Sequence, residues 1–173
     1  PSSLSISSLF STRSTPNELL QKLSLVHHRQ RWFLYTRANT KAKGGGRFVQ
    51  VAVSMGATPG SGFGPFALLS IRGYNPAHAG NIYLAAVNPC PFGIDDMLLG
   101  LFATNLGNAS RDAELRGNSD GVSFIGLALS CDGTEWSSLI PIAGTTGRDG
   151  RTQDHPVDGL LHEGSMVSVL IHR

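Results

Sequence analysis

From Arg31 onward, apolar and polar residues alternate along the chain. In RWFLYTRA (31–38), Trp32, Leu34 and Thr36 fall on one side and Phe33, Tyr35 and Arg37 on the other. RFVQVAVS (47–54) alternates again, and NTKAKGGG between the two runs supplies a turn. A period of two predicts strands, and two such runs around a glycine-rich link predict a hairpin. The triple glycine precedes a strand and not a helix, so it reads as a hairpin loop and not as a phosphate cradle. Short apolar runs at 66–71, 81–88, 98–105, 124–130, 138–142, 156–161 and 166–173 predict further strands, and the polar stretch between Gly107 and Ser123 predicts a long exposed loop.

Upstream the period differs. Thr15-Pro16-Asn17-Glu18 offers a hydroxyl cap, a proline in the first turn and a glutamate three residues after the cap. Leu19, Leu20, Leu23 and Val26 follow at helical spacing, so one short helix is expected, ending near His28. Residues 1–30 then form an N-terminal basic arm with this helix, and 31–173 form the β domain.

Two stretches of the β region repeat one layout. RFVQVAVS leads to FALLSI, and FIGLALS leads to WSSLIPI. In each, an alternating strand ends in serine (Ser54, Ser130), a turn follows, and an aromatic (Phe66, Trp136) opens a second apolar strand. A further correspondence sets WFLYTRA beside VSVLIHR. The second serine opens SCDGTEW (130–136), where Asp-Gly permits a tight reversal and the tryptophan is large enough to pack between neighbouring sheets. Recurring units of short strands are how propeller blades appear in sequence, and a plain β-sandwich with one hairpin turn is the alternative.

WFLYTRAN, GGRFVQVAVS, GNIYLAAVNP, LLGLF, LALSCDGTEWS and GRTQDHPVDG together resemble blades of the five-bladed β-propeller glycoside hydrolases of the arabinanase and fructosidase type, over roughly residues 31–173. The resemblance implies an all-β fold: antiparallel sheets like two to three propeller blades, too few to close a ring unaided, with the one short N-terminal helix. In those enzymes carboxylates act as general acid and as base or nucleophile on opposite sides of the sugar bond. The resemblance places Asp154 and Asp158 in the corresponding catalytic stretch. The matching segment of the complete blade offers Asn81 and Asn88 and no acid, so a catalytic pair is not assembled, and both aspartates are accounted for as turn formers beside Pro156 and Gly159. Sugar binding needs less, and Arg151 with Trp136 or Tyr83 are its candidate ligand-binding residues.

Charge changes the picture in one respect. Residues 1–50 hold eight Lys or Arg against one acid, Glu18, while the remainder holds six against eleven acids. Arg37, Lys41, Lys43 and Arg47 are therefore candidate partner-binding residues, facing other protein chains of a larger assembly. No stacked aromatics accompany them, which argues against nucleic acid. His155, His162, Asp158 and Glu163 match no zinc spacing, so no metal and no cofactor is expected. The cysteines, Cys90 and Cys131, are expected as a reduced, buried pair of small apolar side chains, with a disulfide as the alternative. No apolar run is long enough for a transmembrane helix. The opening PSSLSISSLFSTRS carries serine and arginine and no acid, like the tail of a plastid or mitochondrial transit peptide, with secretion as the alternative. Together these features predict a non-catalytic structural or interaction subunit docked in an organellar assembly; the alternative is a carbohydrate-binding or weakly hydrolytic glycoside-hydrolase-like domain.

Overall fold

A computed structural model describes residues 23–40, 46–74, 81–94, 96–105, 123–145 and 155–172. The strands are β1 (Leu23–His28), β2 (Arg31–Thr40), β3 (Gly46–Val53), β4 (Ala67–Leu68), β5 (Ser70–Ile71), β6 (Asn81–Pro89), β7 (Leu98–Asn105), β8 (Ser123–Ser130), β9 (Glu135–Trp136), β10 (Ile140–Thr145), β11 (His155–Glu163) and β12 (Met166–His172). They make two four-stranded antiparallel sheets, ordered β1-β2-β3-β4 and β10-β8-β7-β6, and a two-stranded antiparallel ribbon, β11-β12. β5 and β9 form a short parallel pair that joins the first sheet's outer segment to the second sheet. Among the described residues the fold is all-β, no sheet closes into a barrel, and no helix is long and apolar enough to cross a membrane.

Both four-stranded sheets run through their strands in chain order, as blades do. Ser54 and Ser130 sit at the same place in the two sheets, immediately after and at the end of the third strand. The matched runs WFLYTRA and VSVLIHR, described over 32–38 and 167–172, likewise fall in second strands, β2 of the first unit and β12 of the third. Ser54 and Ser130 differ in their bonds, however. The Ser54 hydroxyl accepts from the Trp32 N–H (2.9 Å) and donates to the Gly56 carbonyl (2.6 Å), because no aspartate follows it.

The helical expectation fails over 23–28. Ser24, Val26 and His28 are buried and alternate with exposed Leu25 and His27, a strand pattern in which Leu23 and Val26 only coincide with helical spacing. β1 pairs with β2 from Leu23↔Thr36 to His28↔Arg31, and Arg29 and Gln30 make the turn at φ +47° and +62°. A two-residue hairpin turn of this kind usually takes Asn-Gly, so Arg-Gln hides it in the sequence. Residues 15–22 lie outside the described residues, as do the loop after Gly107 and most of the charged segment 147–159.

The second sheet is covered on both faces, which is why LLGLFATN and FIGLALS read as almost unbroken apolar runs. One face carries Leu98, Phe102, Phe124 and Ala128 against Phe33, Tyr35, Val49 and Val51 of the first sheet. The other carries Ala86, Leu99, Leu101 and Ile125, with Leu160 and Val169 of the ribbon packed against them. Three β units are thus stacked side by side. β6, first strand of the second sheet, lies against both β1 and β11, the first strands of the other two.

Candidate functional site

The SCDGTEW turn is the seam between the two large sheets. The Asp132 Oδ1 accepts from the N–H groups of Thr134 and Glu135 (both 2.8 Å), and the Ser130 Oγ accepts from the Gly133 N–H (2.9 Å). Partial burial would raise the Asp132 pKa, but the backbone N–H groups of Glu135 and Thr134, then the hydroxyls of Thr134 and Ser130, outweigh it and hold the carboxyl below its ordinary value. Strands β1 and β2 of the first sheet and the β5 segment that follows it grip this turn through four of its carbonyls. His28 Nε2 is 2.9 Å from the Cys131 oxygen, and the Tyr35 hydroxyl donates to the Gly133 carbonyl at 2.8 Å. The N–H groups of Ser70 and Arg72 donate to the carbonyls of Thr134 (3.1 Å) and Trp136 (3.0 Å). Burial, helped by the nearby Asp132 charge, pushes the Tyr35 phenol far above its usual range, so it stays a donor.

Trp136 completes the seam. It is 3% exposed and meets Tyr35 and Phe102 edge-on, with centroids 6.1 and 5.3 Å away. Gly100 makes room for it, since a Cβ there would lie 2.7 Å from the indole Cζ3. The ring therefore packs between sheets and offers no face to a sugar. Both cysteines are free, in keeping with the reduced state expected, but neither is buried: Cys131 is exposed and Cys90 half-buried.

A separate feature lies where the leading strands meet. A cleft of about 440 Å³ is lined by Leu25, Val26 and His27 of β1, Trp32 of β2, Val87, Asn88 and Pro89 of β6, and Gly159 of β11. Ser24 ties its floor together: Val87 donates its N–H to the Ser24 hydroxyl (3.0 Å), which donates back to the Val87 carbonyl (3.3 Å). Trp32 is half-buried, its Nε1–H held by the Ala57 carbonyl (3.1 Å), and the His27 ring packs on it at 5.0 Å between centroids. The Asn88 Nδ2 is buried and has no hydrogen-bond partner among the described residues. A buried amide left without an acceptor costs about 1–3 kcal/mol; the Thr36 hydroxyl and the Trp136 indole N–H are buried in the same state outside the cleft.

The sequence candidates distribute unevenly around this cleft. Asp158 lies in β11 directly before Gly159, in the stretch where the register shifts between Pro156 and Leu160. Asp154, Arg151, Lys41 and Lys43 lie outside the described residues. Tyr83 and Arg47 are brought together away from the cleft, the guanidinium 4.7 Å from the ring centroid. Arg37 is half-buried in β2, and its carbonyl accepts from Gln50 Nε2 (3.3 Å). Among the described residues no group of three His, Cys, Asp or Glu is placed to hold a metal. Trp32 and His27 were not singled out from sequence; the signal that points to them is an unmatched aromatic beside a histidine pair at the tip of a hairpin.

Searches against protein-family models and curated proteins find no match. Among solved structures, an N-acetylgalactosamine deacetylase from F. plautii, crystallised in complex with blood group B trisaccharide, is similar over 71% of this chain and 29% of that chain, at 13% identity and a TM-score of 0.45. The chain spans under a third of that protein's length. This neighbour is a carbohydrate-active enzyme, of an activity other than those of the arabinanase and fructosidase classes.

Proposed function

We propose that the chain is a non-catalytic carbohydrate-binding β domain, its saccharide lying in the cleft between β1, β6 and β11. The observation that carries this reading is the buried Asn88 amide, a cleft-lining donor without a partner. A sugar hydroxyl supplies the acceptor it lacks. The apolar face of a sugar ring packs on Trp32 and the aliphatic floor of Leu25, Val26 and Val87, and His27 adds a polar contact at the rim. Mostly apolar walls with a few placed polar groups are the ordinary composition of a small-ligand site. Hydrolysis would need two carboxylates flanking the bond.

The test is a glycan array probed with the wild-type chain and with Trp32→Ala and Asn88→Ala. Binding of at least one glycan, weakened by both substitutions, is expected; silence of the wild type refutes the reading. Turnover of arabino- or fructo-oligosaccharides is expected to be absent. Turnover abolished by Asp158→Asn or Asp154→Asn would replace binding with hydrolysis.

A second reading, a structural subunit docked on other protein chains, is favoured by the uncovered apolar residues of the ribbon, among them Leu161, Met166 and Leu170. A plastid or mitochondrial address goes with it, resting on the serine-rich, acid-free opening residues with Arg13, and Arg37, Lys41, Lys43 and Arg47 would face the partner. A native mass in organelle extracts well above that of a few copies of the chain is its expected signature, and a fluorescent fusion excluded from both organelles counts against it.

A further inference from the structure

The span HPVDGLLHE (155–163) holds a proline and a glycine within one strand, β11, and the ladder is interrupted where they stand. β11 pairs with β12 at Pro156↔Ile171 and next at Leu160↔Val169, so Val157, Asp158 and Gly159 oppose Leu170 alone. The register breaks of β6 and β10 each insert one extra residue; this one inserts two. Both ends of the bulge are pinned. Pro156 is buried, and Leu160 packs on the second sheet. Between these anchors lies backbone that the ladder passes over, and the extra residues of a bulge are left without ladder partners.

Gly159 is where the bulge meets the cleft. It sits at φ +98°, which L side chains rarely adopt, and a Cβ built there meets no heavy atom within 4 Å. The backbone conformation therefore asks for glycine, while no neighbour crowds the position. Because β6 lies against both β1 and β11, Gly159 stands across the cleft floor from Leu25, His27 and Trp32. Bulges are over-represented beside active sites, and glycine inside a strand often marks close approach of a ligand to the backbone.

Resting on the saccharide reading of this cleft, we infer that the bulge is its second polar wall: backbone groups of residues 157–159 bond the sugar's hydroxyls, and the missing side chain of Gly159 lets the ring approach them. A sugar hydroxyl both donates and accepts, like the hydroxyls of serine and threonine. Asn88 Nδ2 offers it a donor, and the bulge adds both N–H and C=O groups. A bulge pinned at each end is already ordered, so binding to it sacrifices little conformational freedom.

Amide hydrogen exchange of the wild-type chain, with and without an array-selected glycan, tests this wall. Slowed exchange at Val157, Asp158 and Gly159 is expected, with the amides of the Gly164 turn unchanged. Gly159→Ala is expected to weaken binding about two- to tenfold, the equivalent of one lost hydrogen bond. Gly164→Ala, at φ +60° and likewise without a heavy atom within 4 Å of its Cβ, should leave Kd as it is. If Gly159→Ala fails to fold by circular dichroism, the wild-type exchange measurement decides alone. A glycan whose binding depends on Trp32 and Asn88 but leaves exchange at 157–159 unaltered overturns the inference and keeps the cleft reading, as does a folded Gly159→Ala that binds as tightly as the wild type. A wild type silent on the array removes both.

Discussion

Replacing Gly133 by alanine loads the seam between the two large sheets at its tightest point. Two costs are visible. The residue sits at φ +79°, where an L side chain costs about 1–2 kcal/mol. The added Cβ would also stand 2.6 Å from Phe33 Cε1, 2.7 Å from Phe33 Cδ1 and 3.0 Å from the Tyr35 hydroxyl oxygen. Phe33 is buried and stacked beside Tyr35, with centroids 6.4 Å apart, so it cannot swing away freely. Forcing a methyl into such a contact costs about 1–3 kcal/mol. The total, about 2–5 kcal/mol, is a large share of the roughly 5–15 kcal/mol that holds a domain of this size. Gly164 provides the control: its φ is +60°, but no heavy atom lies within 4 Å of a Cβ built there, so Gly164→Ala carries only the backbone cost. Urea unfolding followed by tryptophan fluorescence should therefore separate the two variants by about 1–3 kcal/mol. Phe33→Leu should recover part of the loss in the Gly133→Ala background, a coupling a double-mutant cycle measures. Equal destabilisation by Gly133→Ala and Gly164→Ala would refute the idea that the turn is clamped against β2.

Three further outcomes follow from the same seam. The Tyr35 pKa is raised in the folded state, so its contribution is complete below the unfolded value of 10.0 and is lost as pH rises beyond it; Tyr35→Phe should flatten that alkaline loss and cost about 1–2 kcal/mol at neutral pH through the orphaned Gly133 carbonyl, both readable by urea titration at a series of pH values. The Asp132 pKa is lowered, so its contribution is present above the unfolded value of 3.8 and disappears as pH falls through the folded one; Asp132→Asn should flatten the acid limb of the stability profile, and an unchanged limb would contradict the bonds to Thr134 and Glu135. Gly100→Ala should destabilise by about 1–3 kcal/mol, since its Cβ meets both Trp136 and Phe102, and a combined Trp136→Phe change should soften that penalty in the same unfolding assay.

Strand positions were legible from two patterns. β2, β3, β6, β7, β8, β11 and β12 fall within two or three residues of the expected spans, because a strand buried on one face alternates, as in β2 and β3, while one buried on both faces shows as a short apolar run, as in β7 and β8. The repeat was legible too: Ser54 and Ser130 mark corresponding ends of third strands, and SCDGTEW makes the reversal with its tryptophan inside. β1 was not legible, since Leu23 and Val26 satisfy a helical period as well as an alternating one and Arg29-Gln30 is an unusual pair for a tight turn. The single span expected at 66–71 is split into β4 and β5, as the Leu69 N–H makes the last bond to the first sheet, on the Val49 carbonyl, and Ser70 turns to pair with Glu135. The cleft was least legible of all. Its residues come from four strands, β1, β2, β6 and β11, and are mostly small or aliphatic, so no motif announces them; only the placement of β6 between β1 and β11 brings Trp32, His27 and Asn88 to one place. Trp136, by contrast, looked as suitable for a sugar as for the core, and burial decides for the core.

The chain has only two tryptophans, Trp32 at the cleft and Trp136 in the seam, which makes a proton–nitrogen correlation spectrum recorded during titration with an array-selected oligosaccharide unusually direct. Saturable shifts of the Asn88 side-chain amide and the Trp32 indole N–H, with the Trp136 indole N–H stationary, are predicted. A ligand that leaves the Asn88 amide unmoved while shifting resonances elsewhere would contradict sugar recognition in this cleft.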